Sequence, residues 1–100
     1  MQLITKELKE LMEGYPLYSQ ENEPDPLIIC KFFDPAGSGT WYMTEFDPVE
    51  AVGFGYVQGL GGDELGYFSL KEMESIKLPF GLTLERDLYW KAKKLSEVKQ

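Results

Sequence analysis

Few side chains in this sequence have the chemistry to make or break bonds. Histidine is absent. That removes the Ser-His-Asp and Cys-His nucleophilic arrangements together with the commonest metal ligand. Cys30 is the single cysteine, inside the apolar run LIICKFF. There a thiol reads as a small buried hydrophobe and not as a nucleophile. Zinc sites built from Cys and His are excluded. Carboxylates remain. Glu45–Asp47, Asp63–Glu64 and Glu85–Asp87 could form an acid/base pair or offer oxygen ligands to Mg²⁺ or Ca²⁺. None follows the calcium-loop spacing D-x-[DN]-x-[DN]-G, and among 17 acidic residues in 100 such pairs arise by chance. No catalytic residue, metal or cofactor is assigned on this basis. A carboxylate-based, metal-dependent enzyme stands as an alternative.

The stretch GFGYVQGLGGDELG (53–66) holds six of the ten glycines and poses the phosphate question. A dinucleotide loop needs G-x-G-x-x-G opening a helix. Here Gly53-x-Gly55 is followed by Gln58 at the third glycine position, and no helical pattern begins. A P-loop needs lysine then serine or threonine after its last glycine. Gly62 is followed instead by Asp63 and Glu64, two carboxylates where a phosphate would sit. The sheet reading fits better. Phe54, Tyr56 and Gln58 alternate with Gly53, Gly55 and Val57, giving one aromatic face and one nearly bare face that another element can approach closely.

Charge and aromatic residues point to binding. The formal charge is −7. From Glu10 to Ile76 there are 13 acids against Lys31 and Lys71, a net −11, while the two ends carry a net +4. Such a surface repels phosphate backbones and attracts basic partners. Trp41, Tyr56 and Trp90 lack the interleaved bases of a single-strand binder, so no direct nucleic-acid contact is expected. Arg86, the only arginine, sits between Glu85 and Asp87. It is expected to be a fork pinned by neighbouring carboxylates, or a recognition residue beside Trp90.

These residues need elements to hold them. Thr5 caps a helix over TKELKELMEG (5–14), with Leu8, Leu11 and Met12 on its buried face, Lys6–Glu10 and Lys9–Glu13 paired outside, and Gly14 as the stop. YPLYSQENEPDP (15–26) is an exposed loop. LIICKFF (27–33) is a central strand and DPAGSG (34–39) a turn. TWYMTEF (40–46) alternates Trp41, Met43 and Glu45 on one face with Tyr42, Thr44 and Phe46 on the other. DPVE turns into the aromatic strand, and ELGYFS returns as a fourth. Ser69 and Glu72 form a capping box before Leu70, Met73 and Ile76. After a Pro-Gly turn, a strand is expected through Leu84 or Leu88 to Trp90. The basic tail is a short helix or frayed. The fold class is α+β: one domain over residues 1–100, an antiparallel meander of four to five strands with one or two packed helices. No stretch is long and apolar enough to span a membrane. The charged opening and the lone cysteine are read as cytoplasmic.

Four strings, LITKEL, KFFDP…TWYMTEFDP, GYVQGLGGDELGYFSLKEMESI and GLTLERDLYW, occur in this order between about Leu3 and Lys94. Together they resemble a small family of unknown function carried on bacterial plasmids, conjugative elements and phages. That family also occurs as a module of large polyvalent proteins. The acidic loop at 20–25 and Tyr89-Trp90 after ERDL depart from the family pattern. The resemblance carries no active site over. It implies a cytoplasmic protein of a mobile element, aimed at host defence or at element maintenance.

Composition and resemblance together predict a small, acidic, non-enzymatic interaction protein. Its expected partner is a basic nucleic-acid-binding protein, held through Trp41, Glu45, Asp47, Tyr56, Asp63, Glu64, Arg86 and Trp90. Alternate strand residues lie about 6.7 Å apart, so Glu45, Asp47, Asp63 and Glu64 could imitate a phosphate row and act as a counter-defence inhibitor. The other alternative is a structural or accessory module that self-associates through exposed aromatics such as Trp41 or Trp90.

Overall fold

The computed structural model describes residues 1–99. Its centre is a five-stranded antiparallel sheet in the order β5-β4-β3-β2-β6. The strands are β2 (Cys30–Phe33), β3 (Thr40–Asp47), β4 (Val52–Gln58), β5 (Glu64–Ser69) and β6 (Glu85–Arg86). A second, two-stranded sheet pairs β1 (Leu27–Ile28) with β7 (Lys93–Lys94). Among the described residues the fold also has the short α-helices α1 (Lys6–Leu11), α2 (Leu70–Ser75) and α3 (Leu95–Val98) and a 3-10 turn at Pro79–Gly81. No helix among the described residues is long and apolar enough to cross a membrane.

The local signals act as their chemistry demands. Thr5 accepts the Leu8 N–H to open α1, and Ser69 accepts the Glu72 N–H to open α2, each satisfying a donor with no partner in the helix itself. The α1 helix stops at Leu11, short of Gly14. Leu8 and Met12 are buried but Leu11 is largely exposed, and of the two expected surface pairs only Lys6–Glu10 comes within 4.0 Å. The glycine-rich stretch is sheet and turn. A Cβ on Gly55 would stand 1.9 Å from the Tyr42 carbonyl oxygen, so only glycine allows β4 to lie that close to β3. Gly59 and Gly61 take φ of +83° and +101° in the turn into β5, where a side chain would be strained.

Three expectations are corrected. The run 27–33 is two strands broken at Ile29, because Leu27–Ile28 leaves the main sheet to pair with the C-terminal Lys93–Lys94. The strand expected to run to Trp90 is only Glu85–Arg86. The Asp87 carboxylate accepts the Tyr89 N–H at 2.9 Å and turns the chain there. Most consequential is β3. Its partners on β4 run regularly to Met43↔Gly55 and resume at Glu45↔Phe54, leaving Thr44 as a β-bulge. The extra residue inverts the alternation beyond it. Phe46 joins Trp41 and Met43 on one face, and Glu45 moves to the face of Tyr42.

Each sheet face therefore has its own core. On the first, Trp41, Met43, Phe46 and Phe32 pack with Leu8 and Met12 from the α1 region and with Leu70 and Met73 of α2. On the second, Ile28, Tyr42 and Tyr56 pack with Leu95 of α3, flanked by Trp90 and Val98. The α3 helix lacks a side-chain cap of its own. Asp25 supplies one from 71 residues away, its oxygens accepting the Ser96 N–H at 2.9 Å and hydroxyl at 2.7 Å.

Candidate functional site

The second sheet face is only partly covered, and what remains is a groove of about 460 Å³. Thr44, Glu45 and Phe54 belong to its strand-built side. The loop 15–26, the β5 residues Leu65 and Tyr67, and Leu95 with Lys99 complete the lining.

The loop is pinned from below by two polar side chains. The Glu45 carboxylate is only 4% exposed. Its Oε1 accepts the Tyr18 N–H at 2.7 Å and its Oε2 the Gln20 N–H at 3.0 Å. The Gln20 amide then donates to the carbonyls of Leu27 at 2.8 Å and Thr44 at 2.9 Å, and accepts the Leu27 N–H at 2.7 Å. A buried carboxylate is tolerable only with such donors. The bulge carbonyl at Thr44 is one of the anchors, so the strand irregularity and the loop conformation are one construction.

Tyr18 has φ of +72°, a left-handed conformation costly for a bulky residue. It holds that conformation while its backbone N–H is bound to Glu45, and its ring is 62% exposed at the lip of the groove. Tyr67, 57% exposed, packs on Phe54 with ring centroids 4.8 Å apart. The hydrogen-bonding influence of the Tyr18 hydroxyl, followed by partial desolvation and nearby carboxylates, pushes the Tyr67 phenol above its ordinary value. Glu21 and Glu23 on the loop are exposed, and neither is ion-paired among the described residues. Lys99 lies 5.3 Å above the Tyr56 ring. The groove combines exposed aromatic faces with unpaired carboxylates, a chemistry suited to cationic side chains.

The residues singled out from sequence are dispersed. Trp41 is buried in the first core, so it cannot act as an exposed contact. Tyr56 is buried between Tyr42 and the α3 region. The Trp90 indole donates to the Ile28 carbonyl at 3.1 Å and carries Lys93 at 4.8 Å from its ring. Asp47 accepts the Val49 N–H in its own turn, and Asp63 accepts the Gly59 N–H in the β4–β5 turn. Those turns lie at opposite ends of the β3–β4 ladder. With Glu45 buried, Asp47 half-buried at one end of the ladder and Asp63 and Glu64 exposed at the other, the four carboxylates do not form a row. Arg86 is also placed differently. Its guanidinium bonds Glu7 on α1, while Asp87 faces Lys31 at 4.0 Å. The fork ties β6 to a helix and not to its sequence neighbours.

Sequence reasoning missed Tyr18, Glu21, Glu23, Phe54, Leu65 and Tyr67. The available signal was loop 15–26, a long connection that carries tyrosines and acids and is held without regular structure. Among the described residues, no group of three or more Cys, Asp and Glu is placed to hold a metal ion.

No curated protein and no solved structure matches the chain. A family model does, over residues 3–98. By that match the chain belongs to the family described as "Protein of unknown function (DUF2958)".

Proposed function

We propose that this protein is a non-enzymatic binding module of a bacterial mobile element, and that its groove grips a basic segment of a nucleic-acid-handling protein. The observation that carries the reading is the pairing, at one opening, of the exposed Tyr18 and Tyr67 rings with the unpaired Glu21 and Glu23 carboxylates. Guanidinium groups stack on aromatic faces and bind carboxylates through two parallel hydrogen bonds. The net charge of −7 adds long-range attraction for a cationic partner. The mobile-element setting rests on the resemblance in sequence strings. A partner held this way would have part of its basic surface occluded, which is how a counter-defence inhibitor would act. Phosphate mimicry by a strand-borne row has no part in this version.

The test is fluorescence anisotropy of a labelled arginine-rich peptide, with a glutamate-rich peptide as control. Binding of the first alone is expected, weakening as salt rises. Glu21→Lys/Glu23→Lys is expected to lower affinity by about tenfold or more, equivalent to about 1.4 kcal/mol. Glu10→Lys/Glu13→Lys makes the same change of charge at α1, on the opposite sheet face, and is expected to cost far less. Equal losses from the two pairs would reduce the interaction to bulk electrostatics and defeat the proposal.

A further inference from the structure

The two edges of the main sheet are unlike. The β6 edge is two residues long, and its outward Arg86 N–H meets the Met1 sulfur at 3.3 Å. The β5 edge runs over six residues, Glu64–Ser69, with no strand beyond it among the described residues. The Leu70 N–H bonds Ala51 of the preceding turn at 2.9 Å. Antiparallel alternation then directs Phe68, Gly66 and Glu64 towards β4. The N–H and C=O groups of Leu65 and Tyr67 consequently point away from the sheet. Proteins commonly blunt such an edge with proline, lysine or a bulge. This strand has none of these, and its single charge is Glu64 at the first position. Leu65 and Tyr67 are 48% and 57% exposed.

We infer that β5 is an interface for a second copy of this chain, joined edge to edge about a two-fold axis at Gly66. The strand is complementary to itself in that register. Leu65 of each copy lies opposite Tyr67 of the other, so the outward groups exchange both N–H···O bonds in each such pair. The same pairing sets an aliphatic side chain against an aromatic ring, a favourable cross-strand combination. Gly66 meets Gly66, so no side chains collide at the closest point. Glu64 falls opposite Phe68, so like charges are not opposed. A closed, isologous pair results, with a continuous ten-stranded sheet. A six-residue strand spans about 20 Å, short of what a typical interface of about 1,600 Å² requires. The pair is therefore weak and concentration-dependent. The edge shares Leu65 and Tyr67 with the groove's lining, whereas Glu21 and Glu23 lie on the loop, so variants at those two carboxylates separate the pairing from the groove's ligand.

Sedimentation equilibrium of the full chain from low micromolar to millimolar concentration tests the pairing. A reversible monomer–dimer equilibrium is expected. Leu65→Lys and Tyr67→Pro remove an apolar contact and an outward N–H without touching the β4 ladder, and each is expected to weaken association about tenfold or more. Glu21→Lys/Glu23→Lys is expected to leave it unchanged. Gly66→Cys tests the register. A Cβ there has nothing within 4 Å, and residues facing each other at a non-hydrogen-bonded position have Cα atoms about 4.5 Å apart, within disulfide range. With oxidised glutathione, Gly66→Cys is expected to give a covalent dimer, and Glu13→Cys, exposed just beyond α1 and away from the β5 edge, is not. A strict monomer at millimolar concentration would overturn the inference. So would a dimer indifferent to both edge variants, or equal crosslinking of the two cysteine variants.

Discussion

The buried carboxylate of Glu45 accepts the backbone N–H of Tyr18 at 2.7 Å, from a residue 27 positions earlier, and Tyr18 stands in a left-handed conformation at the groove's lip. A central strand thus sets the conformation of a long exposed loop. The pairing also explains why a charge with no ion-pair partner among the described residues can sit 4% exposed in the sheet. Its second oxygen takes the Gln20 N–H, so both lone-pair directions towards the loop are occupied.

Glu45→Gln keeps the shape but replaces one acceptor with an amide donor facing a backbone N–H. Hydrogen bonds to charged groups contribute roughly 1.5–3 kcal/mol each, and the variant is expected to lose about 2–3 kcal/mol in urea unfolding. Amide exchange at Tyr18 and Gln20 should accelerate more than exchange in α1 or α2. A protein unchanged at those two amides would remove Glu45 from the loop's support.

Deleting Thr44 is expected to be tolerated. Without the bulge, Met43, Glu45 and Phe46 run regularly opposite Gly55, Phe54 and Gly53, and every side chain keeps its face. The loss is the Thr44 hydroxyl bond to Phe54 and the Gln20 bond to the Thr44 carbonyl, about 1–3 kcal/mol in all. Deleting Tyr42 instead makes Trp41 and Met43 adjacent and drives one of them out of the first core, since a one-residue slip inverts facing. Thermal unfolding followed by circular dichroism should stay cooperative for the first deletion and vanish for the second.

Cys30 is buried, and desolvation pushes its thiol up to about 11 from an ordinary value of 9.0. The native protein at pH 8 should resist iodoacetamide and react only as it unfolds. The raised value also makes stability depend on alkali. Its contribution is complete below about 9 and is lost as pH rises from there towards about 11. Cys30→Ala should flatten that alkaline decline in urea titrations.

Asp25 behaves oppositely. The Ser96 side-chain and backbone hydrogen bonds hold its carboxyl below the ordinary value of 3.8. Its support of α3 is therefore present above that value and is lost as pH falls through the lower, folded one. Protection factors at 95–98, which correct for the slower intrinsic exchange in acid, should fall on acidification ahead of those of the main sheet, and Asp25→Ala should show the same opening at neutral pH. An α3 that exchanges with the sheet at every pH would contradict the cap.

Much of the fold is legible one short window at a time. Thr5 and Ser69 announce helix starts because a hydroxyl can reach an N–H three residues on. The Asp-Pro and glycine clusters mark turns because few residues accept those backbone angles. The alternation at 52–58 shows one aromatic and one bare face. The interaction residues were far less legible, since a carboxylate's role depends on what faces it. Glu45, Asp47 and Asp63 look interchangeable as letters, yet one is a buried anchor and two close their own turns.

The amino-acid string alone determined the α+β class, the succession of α1, the strands β2 to β5 and α2, the acidic character, and the exclusion of histidine-based chemistry. All of these follow from composition or from interactions within a few residues. Only the tertiary structure decided that Thr44 is a bulge, that Arg86 reaches Glu7, and that the loop 15–26 folds over β3 and β4 to form a groove. Those outcomes depend on pairing between residues far apart in sequence. A single extra residue in one strand turns every later side chain to the other face, and nothing in that strand's own alternation records it.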